Sequence, residues 1–267
     1  MENRPIGVFD SGIGGLTVLK ELSVILPNED LIYFGDTARV PYGTRSKETI
    51  IRYSLQCSEF LKSKDVKMIV IACNTASAFA LDEVRDAFDI PVVGVIRPGG
   101  EAAAKATECG TIGVIGTEGT INSRSYEIEI RKNLPEAKVI GQPCPLFVQL
   151  VEEGWADTDV TELVAKKYLL DMKDHEIDTL VLGCTHYPPL RYMIRKVLGD
   201  EINLINPALE TAVEVKKILE EKNLLTERNS FGEISYYVSD SPEKFRRIGG
   251  NLVQMNIKDP KKVDVDI

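Results

Sequence analysis

Apolar residues in this chain fall in short uninterrupted runs, each closed by a small or turn residue and followed by a stretch in which apolar positions recur every three or four residues. That alternation predicts buried parallel strands joined by amphipathic helices. Pro5-Ile6-Gly7-Val8-Phe9 leads into Asp10-Ser11-Gly12-Ile13-Gly14-Gly15, after which Leu16, Leu19, Leu22 and Leu26 mark one helical face. The run at 31–35 delivers Asp36-Thr37, and Val40-Pro41-Tyr42-Gly43 turns the chain into a long helix over 46–64. A strand at 69–72 with a helix over 76–88, a strand at 90–96, and a small-residue helix after Arg97-Pro98-Gly99-Gly100 complete a first unit.

The second half repeats the plan. Strands are expected at 111–116, 137–140, 180–183 and 202–206, with helices at 146–153 and 161–173, and with Thr117 and Thr120 standing in the turn after the first of these strands. Gly7 and Gly113, Cys73 and Cys184, Pro98 and Pro207 recur in one order at an offset of about 110 residues, which points to two βα units related by a pseudo-twofold. The fold class expected is therefore α/β: two pseudo-symmetric α/β domains with mainly parallel sheets. After Pro207, a helix over 210–222, a strand over 232–238 and a helix from Ser241-Pro242-Glu243 are expected to return to the first unit, with 258–267 frayed. The domains expected are 1–97 with 208–267, and 98–207.

Composition narrows the function classes. The 267 residues are 43% hydrophobic, enough for a real core, and a net charge of −9 argues against a nucleic-acid or anionic-membrane surface. A soluble cytoplasmic protein is expected, because Met1-Glu2-Asn3-Arg4 runs straight into a strand and no apolar run approaches the ~20 residues of a membrane helix. Five cysteines, widely spaced and without CxxC, read as reduced thiols, with Cys57 and Cys109 structural and Cys144 uninformative.

Cys73 and Cys184 differ from the other three. Each ends an aliphatic strand where a parallel α/β sheet binds ligands, each is expected to open a helix that lowers a thiol pKa, and each has polar neighbours, Asn74-Thr75 and Thr185-His186. One such cysteine alone reads as a small buried hydrophobe. Three chemistries fit the pair: a redox dithiol, a zinc site completed by His186 with Asp10 or Asp36, and an acid and a base on opposite faces of one carbon. The duplication favours the third, and an α/β binding protein that closes on an acidic metabolite without turnover is the alternative from another class.

The motifs Asp10-Ser11-Gly12-Ile13-Gly14-Gly15, Asp36-Thr37, Pro41-Tyr42-Gly43, Ala72-Cys73-Asn74-Thr75-Ala76-Ser77 and Leu182-Gly183-Cys184-Thr185-His186-Tyr187-Pro188 together resemble the glutamate racemases of the aspartate/glutamate racemase family. The resemblance implies cofactor-independent interconversion of L- and D-glutamate for peptidoglycan, with no metal, at a site between two α/β domains, and a homodimer. It implies Cys73 and Cys184 as the two bases, Asp10 and Glu152 assisting, and His186 acting with Cys184. Substrate contacts implied are Asp10, Ser11, Tyr42, Gly43, Asn74, Thr75, Thr185 and His186, joined by Thr117 and Thr120. Arg97 and Asn206 stand where the family pattern varies, with effects expected on substrate access or the hinge. An aspartate-specific racemase is the nearest enzymatic rival. The residues give this reading physical sense, since helix-start N–H groups and hydroxyls bind carboxylates without a basic patch.

Overall fold

The computed structural model describes residues 2–265. The first half runs β1 (Ile6–Asp10), α1 (Leu16–Ile25), β2 (Leu31–Gly35), α2 (Lys47–Ser63), β3 (Met68–Ile71), α3 (Asn74–Ala87) and β4 (Val92–Gly94). The second runs α4 (Ile96–Ala106), β5 (Thr111–Gly116), α5 (Glu118–Asn122), α6 (Ser125–Asn133), β6 (Lys138–Pro143), α7 (Leu146–Glu152), α8 (Asp159–Lys173), β7 (Thr179–Gly183), α9 (Arg191–Leu198) and β8 (Asn203–Ile205). The chain ends with α10 (Pro207–Glu221), β9 (Ile234–Val238), α11 (Pro242–Val253) and β10 (Lys261–Lys262).

Two parallel sheets result, one ordered β10-β9-β2-β1-β3-β4 and the other β6-β5-β7-β8. The second order repeats the run β2-β1-β3-β4 of the first, strand for strand. The duplication seen as recurring landmarks is thus a duplication of topology. β9 and β10 extend the first sheet beyond β2.

Strand periodicity explains the layering. Ile6 and Val8 of β1, with Met68 and Val70 of β3, face a core shared with α1, α10 and the second sheet's Ile112, Val114 and Val181. Phe9, Ile69 and Ile71 alternate to the opposite face and pack under α2 and α3. Likewise Ile115, Leu180 and Leu182 pack under α7, α8 and α9. With both faces covered, every position of β1, β3 and β7 is buried and the runs carry no polar alternation. The inner helices bring the two sheets together, α10 packing on both α1 and α4.

Four local expectations are corrected. The small-residue helix expected after Arg97-Pro98-Gly99-Gly100 already contains these residues, since α4 starts at Ile96; the proline is tolerated in its first turn because its missing N–H would have no intrahelical partner there. Thr120 sits inside the short helix α5 rather than in a turn. The tail expected to fray instead pairs Lys261 and Lys262 with Tyr237 and Val238 and buries Val265, while residues 266 and 267 lie outside the described residues. Cys184 does not open a helix: Thr185, His186 and Tyr187 separate it from a 3-10 turn at Pro188–Leu190, which leads into α9.

Candidate active site

β1, β3, β5 and β7 all point their carboxyl ends at one place, and a cavity of about 110 Å³ lies there. Its walls come from both sheets, and Cys73 and Cys184 both line it. Each is only 6% exposed. Ser11, Tyr42, Gly43, Asn74, Thr75, Thr117, Glu152, Thr185 and His186 line it as well. Asp10 and Thr120 do not reach the wall and lie buried just behind it.

Cys73 is the N-cap of α3, its sulfur accepting the Ala76 N–H at 3.5 Å while its thiol faces the Ser11 hydroxyl at 3.6 Å. The helix start does not produce the low thiol pKa expected from it. Burial pushes the Cys73 thiol up to about 12, and the nearby Asp10 charge adds to that, against the weaker pull of the Ala76 N–H and Ser11. Asp10 accepts the Gly12 N–H at 2.9 Å through Oδ2, and Oδ1 has no hydrogen-bond partner among the described residues. Burial raises its pKa, opposed by the His186 charge and the Gly12 N–H.

Cys184 is held differently. His186 places Nδ1 3.9 Å from the Cys184 sulfur and Nε2 3.1 Å from Glu152 Oε1, making a line of carboxylate, imidazole and sulfur. Burial works to lower the His186 pKa, but the contacts with Cys184 and Glu152 outweigh it and raise it to about 10. The hydrogen bond from His186 in turn lowers the Glu152 pKa against burial. Glu152 reaches this position from the last residue of α7.

In the first turn, Gly14 makes close contact between the halves possible and Gly15 lets α1 start against Asp10. A Cβ on Gly14 would lie 2.2 Å from Thr185 Oγ1 and 2.5 Å from His186 Nδ1, and one on Gly15 would lie 2.4 Å from Asp10 Cβ. Thr17 Oγ1 also donates to the Thr185 carbonyl at 3.1 Å. On the other side, Thr75 Oγ1 meets Thr117 Oγ1 at 2.9 Å and Thr120 Oγ1 at 3.2 Å, and Thr117 and Thr120 meet at 3.0 Å. Three hydroxyls thus join the start of α3 to the start of α5.

Such a cavity presents hydroxyls, backbone N–H groups and a cationic ring to an anion, with two sulfurs in its wall. That combination suits proton transfer at a small carboxylate-bearing molecule.

A model of the Asp/Glu/Hydantoin racemase family matches residues 7–215. The chain belongs to that family. A glutamate racemase of Geobacter metallireducens is 50% identical over 98% of this chain and 97% of its own length. The crystal structure of a Francisella tularensis glutamate racemase in complex with D-glutamate superposes with a TM-score of 0.93 at 46% identity, covering 100% of this chain and 99% of that one. A Bacillus anthracis glutamate racemase structure reaches a TM-score of 0.96 at 40% identity, covering 100% of both chains.

In this racemase-family chain some expected contacts are already occupied. The Tyr42 hydroxyl donates to Asp36 Oδ2 at 2.5 Å, so it is the ring of Tyr42 that is left to shape the wall. Asp36, named above as a potential zinc ligand, does not line the cavity; it is buried and also accepts from Arg39 Nε at 2.7 Å and Ser239 Oγ at 2.9 Å. Arg97 pairs with Glu214 and Glu101, and Asn206 caps α10 through the Ala208 N–H at 3.2 Å; neither lines the cavity. Cys57 and Cys144 are buried, and Cys109 is exposed in the turn before β5.

Sequence reasoning gave no site role to Gly12, Ile13, Val40, Pro41, Val148 or Gln149, all of which line the wall. Val148 and Gln149 had a signal, since they precede Glu152 by four and three residues on one short helix and so share its face.

Proposed function

We propose that this chain interconverts L- and D-glutamate without a cofactor, Cys73 and Cys184 acting as the two bases. The observation that carries the reading is that two sulfurs from the matching ends of β3 and β7 line one cavity, in a chain 46% identical to a racemase whose structure holds D-glutamate.

In the reaction one cysteine, as thiolate, takes the α-proton from one face of glutamate. The electron pair left on the α-carbon is protonated on the opposite face by the other cysteine, as thiol, and the two exchange protonation states. The reverse direction uses the same two groups in the opposite order. Asp10 stands beside Cys73 to hold or relay a proton, and the cationic His186, backed by Glu152, offsets the negative charge that Cys184 gains when it gives up its proton. Ser11, Asn74, Thr75 and Thr185, with neighbouring backbone N–H groups, bind the carboxylates, while Tyr42, Gly43, Thr117 and Thr120 complete the wall and its backing. Stabilisation of the carbanionic transition state falls to these fixed donors.

The two-lobed division is 1–97 with 208–267 against 98–207, supported by sheet membership. The product is D-glutamate for peptidoglycan synthesis in the cytoplasm, the enzyme acts as a homodimer, and no nucleic acid or membrane takes part. Among the described residues no helix is long and apolar enough to cross a membrane.

Incubation with L-glutamate in deuterated water, without added pyridoxal phosphate, should exchange the α-proton and bring the optical rotation to zero. Folded enzyme that leaves both unchanged rejects the proposal, and faster exchange on aspartate would reassign the substrate. Cys73→Ala and Cys184→Ala should each abolish racemisation while leaving the fold intact by circular dichroism; full turnover by either one contradicts two-base chemistry.

A further inference from the structure

The two cysteine-bearing strand ends are joined by a residue that no motif singled out. Tyr126 of α6 is 2% exposed, and its hydroxyl donates to Asn74 Oδ1 at 2.6 Å. Asn74 directly follows Cys73. The other edge of the same ring lies on the strand of the second cysteine, since a Cβ on Gly183 would come within 3.1 Å of Tyr126 Cε2. Gly183 directly precedes Cys184. From the first edge, a Cβ on Gly99 of α4 would meet Tyr126 Cε1 at 3.2 Å, so the ring is wedged between α4 and β7. One rigid aromatic side chain therefore spans from the backbone beside one sulfur to the amide beside the other.

The chemistry of the amide gives this contact a consequence. A side-chain amide has one acceptor oxygen and one NH₂ with two donors, and a buried phenol beside it fixes which faces where. Burial, reinforced by the Cys184 charge, raises the Tyr126 pKa well above 10, so the phenol keeps its proton and donates. Oδ1 is thereby taken. Nδ2, which has no protein acceptor among the described residues, is left for the cavity that Asn74 lines.

We propose that Tyr126 is a positioning residue of the reaction: it locks the Asn74 amide with its NH₂ toward the substrate carboxylate and sets the spacing of the Cys73 and Cys184 strand ends. The proposal rests on the racemase reading above. It does not place Tyr126 against the substrate, since Tyr126 does not line the cavity.

Tyr126→Phe keeps the wedged ring and removes only the donor. Without it the amide is free to turn its oxygen toward an anionic substrate, so KM for glutamate should rise roughly five- to twentyfold, the effect of losing one oriented charge-assisted hydrogen bond, while kcat stays within about threefold. Asn74→Ala should lower kcat/KM by itself, and Tyr126→Phe added to Asn74→Ala should lower it no further, because the amide it orients is gone. An unchanged KM in Tyr126→Phe, or full additivity of the two substitutions, would overturn the proposal; a purely structural hydroxyl gives additivity. Tyr126→Leu, which removes the wedge, should lower kcat as well as raise KM, and retention of wild-type kcat by a folded Tyr126→Leu enzyme would remove the spacing role. Wild-type enzyme assayed in parallel separates the two levels, because its failure to racemise glutamate counts against the reaction itself and not against Tyr126.

Discussion

Cys73 and Cys184 stand at equivalent strand ends, yet their surroundings differ: the Ser11 hydroxyl and the nearby charge of Asp10 on one side, His186 backed by Glu152 on the other. A protonated imidazole at Cys184 has consequences for both stability and rate. The His186 pKa is raised in the folded protein from 6.5 to about 10. A raised folded pKa contributes stability that is fully present below the unfolded value and is lost as pH rises through the folded one. Urea unfolding followed from pH 6.5 to 10 should therefore show a decline in stability that is flatter in His186→Asn; parallel declines would show that His186 is not the group titrating. Glu152→Gln removes the anion behind the ring and leaves burial a larger share, so the His186 pKa falls. On the proposed reaction the alkaline limb of the kcat–pH profile should then move down by about one pH unit or more. An unmoved limb would separate Glu152 from the charge on His186.

Among the elements, the turn between β1 and α1 is where one half of the molecule meets the chemistry of the other. Gly14 lies against Thr185 and His186 with no room for a methyl group. Gly14→Ala must displace the Thr185-His186 segment, at a cost of about 1–3 kcal/mol for overpacking. Activity should suffer more than stability, because misplacing a reacting group by about 1 Å costs on the order of a hundredfold. The check is kcat/KM beside the melting temperature, and a variant whose activity falls no further than its folded fraction would argue that the turn is only packing. This turn also shows how far the sequence could be read. β1, β3, β5 and β7 were legible because covered faces demand continuous apolar runs, and the cysteines because their strands end in polar spellings. α5, α6 and α9 escaped notice: α5 is only 5 residues long, Tyr126, Ile128 and Ile130 of α6 alternate as a strand's residues would, and α9 starts only behind a proline pair. With α6 went Tyr126, whose position depends on how the helices dock, whereas Val148 and Gln149 could have been read from their spacing to Glu152 on α7. Cys184 misled in another way, since a cysteine after a strand reads as a helix start, whereas Thr185-His186-Tyr187 and a proline pair delay the helix.

At the scale of the whole molecule, the cavity occupies the carboxyl ends of the strands, and a buried ion pair holds the opposite edge of the first sheet. Lys67, just before β3, places Nζ 2.6 Å from Glu29 Oε2, just before β2, and the two side chains are 0% and 2% exposed. Lys67 also donates to the Glu2 carbonyl at 3.2 Å, and Glu29 Oε1 accepts the Thr226 N–H at 2.8 Å. The N-terminal residues, the first sheet and the segment returning from α10 are thus tied at one point, reinforced by Arg228 and Asp30 at 2.7 and 2.8 Å. Removing one member of such a pair leaves an uncompensated buried charge, so Lys67→Met should destabilise by about 3–5 kcal/mol, whereas neutral partners at both positions cost far less. Lys67→Met with Glu29→Gln keeps an acceptor for Thr226 and should recover most of the loss. Because this edge lies at the other end of the strands from Cys73, kcat/KM of either folded variant should stay within about twofold of wild type. Denaturant unfolding and initial rates measured on the same preparations decide the matter: a double variant no more stable than Lys67→Met would reject the charge argument, and a large loss of kcat/KM in a folded variant would mean that the far edge of the sheet is coupled to the cavity.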